Sequence, residues 1–132
     1  RPEDPMSQWQ YTIPVHTKNP NNGTMGNTRV SAIIRTKERK AQRVMAGLHT
    51  RRARGILGAL EHVRVTLTRV APSRGLDPWD GLGASLKGVI DGVADGLGLR
   101  NDRDPHVTWV LAQRRGEAGD YHVDVLIEEG GW

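Results

Sequence analysis

The sequence predicts one small domain of the α/β (α+β) class, in which two main helices pack on one mixed sheet of about four strands. The 132 residues are enough for a single domain, 1–132, with a buried core. Four segments alternate apolar and polar side chains, as strands with one buried face do. Two further segments space their apolar residues as amphipathic helices do. The resulting order β, α, β, α, β, β fits one sheet with helices on it.

The strands are predicted from apolar residues that lie two apart. The first runs from Trp9 to Val15, and Pro14, which has no N–H group, marks its end or a sheet edge. The other three strands follow the same alternation at 63–67, 107–111 and 121–127. The segment 113–120 contains two glycines and is predicted to be the hairpin loop between the last two strands.

The helices are predicted over about 34–54 and about 82–97. The first has an apolar stripe made of Ala41, Val44, Met45 and Leu48. Another of its faces carries arginines at i, i+4 spacing, namely Arg35, Arg39 and Arg43. The second has a wider apolar face for the core, made of Leu82, Leu86, Val89, Ile90, Val93 and Leu97. Gly98 is a typical residue to end it.

The remaining composition excludes several classes of protein. The chain has no cysteine, which rules out disulfides, thiolate metal sites and cysteine nucleophiles and fits a reducing cytosol. It has no apolar run close to the roughly 20 residues that span a bilayer. Residues 1–5 precede Met6 and are expected to be a cloning remnant, and the turn-rich segment 16–28 is predicted to be a flexible loop.

The net charge of +4 hides a strong asymmetry between the two halves of the chain. Residues 1–73 carry 13 Lys and Arg against 4 Asp and Glu, whereas 74–132 carry 6 against 11. A basic half indicates a polyanionic partner. Carboxylates repel phosphates unless a cation lies between them, so the acidic half of the same domain needs its own explanation.

The basic residues concentrate in 29–54, which holds nine Lys and Arg and one acid, Glu38. A helix that is merely solvated usually mixes both signs, so we expect this one to contact DNA phosphates. The predicted DNA-binding residues are Arg29, Arg35, Lys37, Arg39, Lys40, Arg43, Arg51 and Arg52.

The carboxylates concentrate around the second helix. They lie just before it, on it and just after it, as Asp77, Asp80, Asp91, Asp95, Asp102 and Asp104. The two ends of a 16-residue helix are about 24 Å apart. Either the chain after Gly98 folds back along the helix, or two subunits bring opposite ends together. Converging carboxylates are what Mg²⁺ needs, and two such ions can hold the attacking and leaving oxygens of a phosphodiester.

Each of these residues also has a purely structural interpretation. Asp80 suits the N-cap of the second helix, and Asp77 before a proline is an ordinary turn residue. Lys87 and Asp91 form an i, i+4 pair typical of a solvated helix surface. The turn at 101–104 is equally compatible with simple exposure to solvent.

The segment LDPWDGLGASLKGVIDGVADGLGLRNDRDPHVTWVLAQRR, residues 76–115, resembles the RusA family of phage and prophage Holliday junction resolvases. The shared pattern is Asp residues, then Leu-Lys, a helix with an Asp, an acidic turn, and a strand that ends near Gln-Arg-Arg. The resemblance covers about 74–127. The stretch GNTRVSAIIRTKERKAQRV is similar, more weakly, to the family's basic N-terminal helix.

The resemblance implies a role for five residues. Asp77, Asp80 and Asp102 correspond to metal ligands, Lys87 to the catalytic lysine and Asp91 to the helix aspartate. Asp80, Asp91 and Asp102 join Lys87 as the catalytic set.

The sequence departs from the family in three places. Asp77-Pro-Trp-Asp80 replaces the usual Asp-x-Asp, Gly81 replaces an asparagine, and Asn101 replaces the first acid of the turn.

The implied activity is Mg²⁺-dependent (or Mn²⁺-dependent) hydrolysis of phosphodiesters in branched double-stranded DNA by a metal-activated water. The resemblance further implies a homodimer in the cytoplasm of a bacterium or a phage-infected cell, with no small-molecule cofactor. Two alternatives stay open from the residues: a non-catalytic DNA-binding module that uses 29–54, and a nuclease of the same fold that acts on forks or flaps.

Overall fold

The computed structural model describes residues 7–17, 29–72, 75–76 and 81–130. In chain order these form β1 (Gln8–Ile13), α1 (Arg29–Ala53), β2 (Val63–Ala71), α2 (Gly81–Leu97), β3 (Val107–Arg115) and β4 (His122–Glu129). The predicted class is confirmed: two helices and one mixed four-stranded sheet make a single α+β domain. In the described part of the chain, no helix is long and apolar enough to cross a membrane.

The strands lie in the order β1-β4-β2-β3. β2 pairs in parallel with β3 on one side and antiparallel with β4 on the other. The predicted hairpin of the last two strands is therefore wrong, because β2 lies between them. Residues 113–115 belong to β3, and the shorter loop at 116–121 crosses the end of β2. Six residues easily span the roughly 10 Å of two strand spacings.

Both helices cover one face of the sheet. The core side chains of the strands are the odd-numbered ones, such as Val65, Leu67 and Val125, and they pack against α2 and against Ala46 of α1. The opposite face of the sheet carries no helix among the described residues and is rich in threonine and glutamine. β1 lies at a sheet edge and ends immediately before Pro14, as a strand next to a proline should.

Three glycines let the helices approach closely. Gly88, Gly92 and Gly96 recur every four residues of α2 and form one stripe that faces α1. A Cβ atom on Gly92 would collide with the carbonyl oxygen of Arg43 and lie 2.6 Å from Cβ of Ala46. The contact between α1 and α2 therefore depends on close approach of the two helix backbones.

This packing sets the orientation of α1. The predicted apolar stripe points away from the core: Val44 is 63% exposed and Leu48 is 56% exposed. Small residues such as Ala46 and Thr50 are buried instead, since only they fit against the glycine stripe.

Helix α1 also begins five residues earlier than predicted, at Arg29. Most of the predicted flexible loop, 18–28, lies outside the described residues. Its first part is packed rather than loose, because Thr17 is buried against β2 and accepts a hydrogen bond from Arg69.

Candidate active site

A lysine and two carboxylates meet on the solvent-facing side of α2. Nζ of Lys87 donates a hydrogen bond to Oδ2 of Asp102 at 2.9 Å and lies 3.1 Å from Oδ1 of Asp91. Lys87 and Asp91 are one helical turn apart on α2. Asp102 comes from the turn after the helix, so the chain does fold back along α2 within one subunit. The first of the two explanations for the acidic cluster is confirmed for Asp102.

The turn that carries Asp102 is held in place by a hydrogen bond from the neighbouring strand and by hydrogen bonds within the turn. Nε1 of Trp109 in β3 donates to the carbonyl oxygen of Asp102 at 2.7 Å. The buried carboxylate of Asp104 accepts hydrogen bonds from the backbone N–H groups of Arg100 and His106. Asp104 therefore stabilises the turn and does not join the cluster, whereas the Asp102 side chain remains available to solvent and to Lys87.

The hydrogen bond between Lys87 and Asp102 favours the charged form of each side chain. The hydrogen bond from Lys87 holds the pKa of Asp102 below its usual 3.8. The same hydrogen bond, supported by Asp91, holds the pKa of Lys87 above 10.5. At neutral pH, Asp102 is consequently an anion and Lys87 is a cation, so this lysine suits stabilisation of negative charge and cannot serve as a base.

Asp95 lies one turn beyond Asp91 but has a different partner. The guanidinium of Arg43 donates to its two carboxylate oxygens at 2.6 and 2.9 Å. This pair is the main reason that the pKa of Arg43 is raised, and Asp91 adds a smaller electrostatic contribution. The predicted arginine face of α1 thus borders the acidic side of α2. Because both partners are about half exposed, the pair adds little to stability.

Two of the predicted DNA-binding residues therefore make contacts inside the protein. Arg43 pairs with Asp95, and Arg51 donates to the carbonyl oxygens of Gly96 and Asp95 at 2.8 and 2.9 Å. Arg51 in this way satisfies carbonyls in the last turn of α2, which have no partner within the helix. Four others are exposed on α1: Lys37, Arg39, Lys40 and Arg52. Arg35 is half-buried, and the Arg29 side chain lies outside the described residues.

Asp77 and Asp80 also lie outside the described residues, so their distance to Asp102 stays a prediction. Among the residues that the structure does describe, no group of three or more His, Asp or Glu side chains is placed to hold a metal ion. The described part of the site offers two carboxylates, Asp91 and Asp102, which converge on a single positive charge.

Several positions that shape the site are not evident from the sequence. The alternation predicts only that Trp109 lies in a strand. His106 has no neighbouring histidine at a spacing typical of metal ligands. The spacing of Gly88, Gly92 and Gly96 is a readable signal, since small residues every four positions mark a close helix contact. The bond from Trp109 to a backbone carbonyl leaves no such trace in the sequence.

His106 is expected to make the stability of this turn depend on pH. Its Nδ1 lies 2.8 Å from Oδ1 of Asp104 and its Nε2 lies 2.9 Å from the carbonyl oxygen of Ala59. Only the protonated ring can donate to both, and the hydrogen bond to Asp104 raises the pKa of His106 above 6.5. The pKa of Asp104 falls to about 2, mainly through the His106 backbone N–H.

The sign of the effect follows from these two shifts. The histidine contribution is complete below pH 6.5 and is lost as pH rises through the higher folded-state pKa. The Asp104 contribution is complete above pH 3.8 and is lost as pH falls toward 2. We expect the melting temperature to decrease from about pH 6 to about pH 8, and less so in His106→Gln. If the wild type and His106→Gln showed the same pH dependence, the His106 ring would not be donating hydrogen bonds to both Asp104 and Ala59.

No protein-family model matches this chain, and a search of curated proteins returns no match to it.

Proposed function

We propose that this protein is a Mg²⁺-dependent endodeoxyribonuclease that cleaves Holliday junctions or related branched DNA. The observation that supports it most is the meeting of Lys87, Asp91 and Asp102 in one cluster. These are three of the positions to which the resemblance to RusA resolvases assigns roles, and 15 residues separate the first from the last. The turn after α2 thus brings Asp102 to the same ammonium group that Asp91 contacts.

The chemistry of the cluster fits a hard cation in part. Of the three predicted metal ligands, Asp102 supplies a carboxylate that already faces a positive charge, and Asp77 and Asp80 precede the same helix in sequence. Mg²⁺ uses one or two carboxylates and retains several waters, so a set of this size is sufficient. When bound, Mg²⁺ (or Mn²⁺) would lower the pKa of a coordinated water and neutralise charge on the phosphate.

The protein's own groups would divide the remaining work. Asp102 and Asp80 would orient the ion, and Asp91 would hold the Lys87 ammonium in position. Lys87, which stays protonated at neutral pH, would stabilise the negative charge that develops on the phosphate or on the leaving oxygen.

The basic helix would supply the affinity for DNA. Helix α1 borders the acidic side of α2, so phosphates attracted by its lysines and arginines would lie beside the cluster. A homodimer would provide the second site needed to cut both strands of a junction symmetrically. The absence of cysteine suits the reducing cytoplasm of a bacterium or a phage-infected cell.

The proposal is tested by incubating the protein with a synthetic four-way junction, a fork and a linear duplex, each with and without Mg²⁺. Cleavage of the junction that requires Mg²⁺ and yields paired cuts is the expected result. Cleavage of the fork alone would indicate a nuclease that acts on flaps or forks. Tight binding without cleavage of any substrate would reject the proposed nuclease activity and indicate a non-catalytic DNA-binding module.

Exposed cations of α1 are expected to control the salt dependence of DNA binding. Replacing Lys37, Lys40 and Arg52 together with Ala should flatten the slope of log affinity against log salt by about 0.9 for each phosphate that these side chains neutralise in the wild type. Arg43→Ala should flatten the slope less than these substitutions do, because Arg43 already pairs with Asp95. A slope that is unchanged in the triple variant would show that this surface does not face DNA.

A further inference from the structure

A pocket of about 210 Å³ opens where the parallel strands β2 and β3 end. It is lined by Arg69, Gly75, Gln113, Arg114 and Arg115. The carboxyl ends of parallel strands are where open α/β sheets bind ligands. We propose that this pocket holds a phosphate group of the DNA backbone next to the cleaved bond, an inference that rests on the proposed nuclease function.

Arg69 supplies the strongest argument, because its charge is buried without a countercharge. The residue is 6% exposed, and its guanidinium donates to the hydroxyl of Thr17 at 3.1 Å and to the Thr17 carbonyl at 3.3 and 3.4 Å. Among the described residues it has no carboxylate partner, and burial lowers its pKa. A buried charge normally has an ionic partner. An oxyanion in the pocket would provide one.

The two arginines at the end of β3 retain donors for such an anion. Nε of Arg115 donates to the carbonyl oxygen of Pro72 at 3.1 Å, and Nη2 of Arg114 pairs with Asp124 at 3.2 Å. Both side chains are exposed, and a guanidinium has five N–H groups in a planar fork that matches a phosphate. Arg69 and Arg115 lie on the same face of the sheet, and their planar guanidinium groups match the two non-bridging oxygens of a phosphodiester.

One wall of the pocket is close in sequence to two of the predicted metal ligands, Asp77 and Asp80. The side-chain amide of Gln113 accepts from the N–H of Leu76 and donates to the carbonyl oxygen of Leu76, each at 2.8 Å. A Cβ on Gly75 would lie 2.9 Å from Oε1 of Gln113, so the Gln113 amide packs closely against this glycine. Leu76 directly precedes Asp77. A phosphate in the pocket would therefore lie at the start of the segment that carries Asp77 and Asp80.

The first experiment measures melting temperature in inorganic phosphate and in sodium chloride of equal ionic strength. A ligand of the folded state raises the melting temperature of the wild type. Phosphate also stabilises proteins generally, so the decisive quantity is the difference between variants. Arg115→Ala should lose most of the phosphate-specific increase, and Arg100→Ala, which removes an exposed arginine elsewhere, should keep it. An equal increase in both variants would overturn the pocket.

Arg69→Met tests the buried charge itself. It should lose the same phosphate-specific increase as Arg115→Ala. Because it also gives up the hydrogen bonds to Thr17, its melting temperature in chloride is not decisive, and Arg115→Ala at the rim remains the deciding variant if Arg69→Met does not fold.

The second experiment separates the DNA backbone from free phosphate. In binding to a four-way junction, Arg115→Ala should reduce the slope of log affinity against log salt by about 0.9, and Arg64→Ala, at the opposite end of β2 from the pocket, should leave it unchanged. A phosphate-specific increase that Arg115→Ala loses, together with an unreduced slope, would assign the pocket to free phosphate and overturn the DNA assignment. Cleavage by the wild type is scored separately, so a missing nuclease activity refutes the proposed function without deciding the pocket.

Discussion

Asp102→Asn is expected to reduce Mg²⁺-dependent cleavage of branched DNA by about 10²- to 10³-fold. Asparagine keeps the shape and one oxygen of the side chain but loses the negative charge that a hard cation requires. A loss of this size corresponds to about 3–4 kcal/mol of transition-state stabilisation. Thermal stability should hardly change, because the turn is anchored by the Asp102 carbonyl oxygen and by Asp104. Cleavage assays and melting curves on the same preparation check both statements.

A matched control removes an equal charge elsewhere. Glu117→Gln lies in the exposed loop after β3 and should cleave as the wild type does. Junction affinity of Asp102→Asn should hold or increase, since a carboxylate that repels phosphate has been removed. Cleavage by Asp102→Asn at the rate of Glu117→Gln would reject the metal-site interpretation of the cluster.

Asp80→Asn extends the same test to a residue outside the described structure. Asparagine caps a helix as well as aspartate does, so a pure cap would tolerate this substitution. A metal ligand would not, and cleavage should then fall as it does in Asp102→Asn. Wild-type activity in Asp80→Asn would leave Asp80 as a helix cap.

Gly92→Ala is expected to destabilise the fold by about 3 kcal/mol, which corresponds to roughly 10 °C in melting temperature. The added Cβ would collide with the backbone of Arg43 and with Ala46, and neither can move without shifting α1. Separating the helices would also break the pair between Arg43 and Asp95. In a helix without contacts to α1, alanine would be favoured by about 1 kcal/mol, so the predicted sign is opposite to helix propensity.

Gly83→Ala in the same helix is the control. An added Cβ at Gly83 meets nothing within 4 Å, so only propensity acts and stability should rise by up to about 1 kcal/mol. Chemical denaturation of the two variants beside the wild type gives both values. A stable Gly92→Ala protein would mean that α1 does not pack on the glycine stripe.

The sequence determined the elements of this fold because local patterns encode them. The apolar residues of β2, β4 and the helix at 82–97 are buried as predicted. Burial of one face of an element is what produces such patterns in the sequence. The return of Asp102 to Lys87 was one of two explanations that the sequence left open. The resemblance placed both residues in a site, but no spacing rule could join a helix to the turn after it.

Only the tertiary structure decided the partners of the elements. β4 pairs with β2 and not with β3, because α2 returns the chain parallel to β2 and leaves the other side of β2 open. Helix α1 turns its apolar residues outward, because the glycine stripe of α2 accepts only small side chains. Periodicity shows that a helix has two faces, whereas the choice between those faces depends on the shape of a surface that lies 46 residues further along the chain, as Gly92 lies from Ala46.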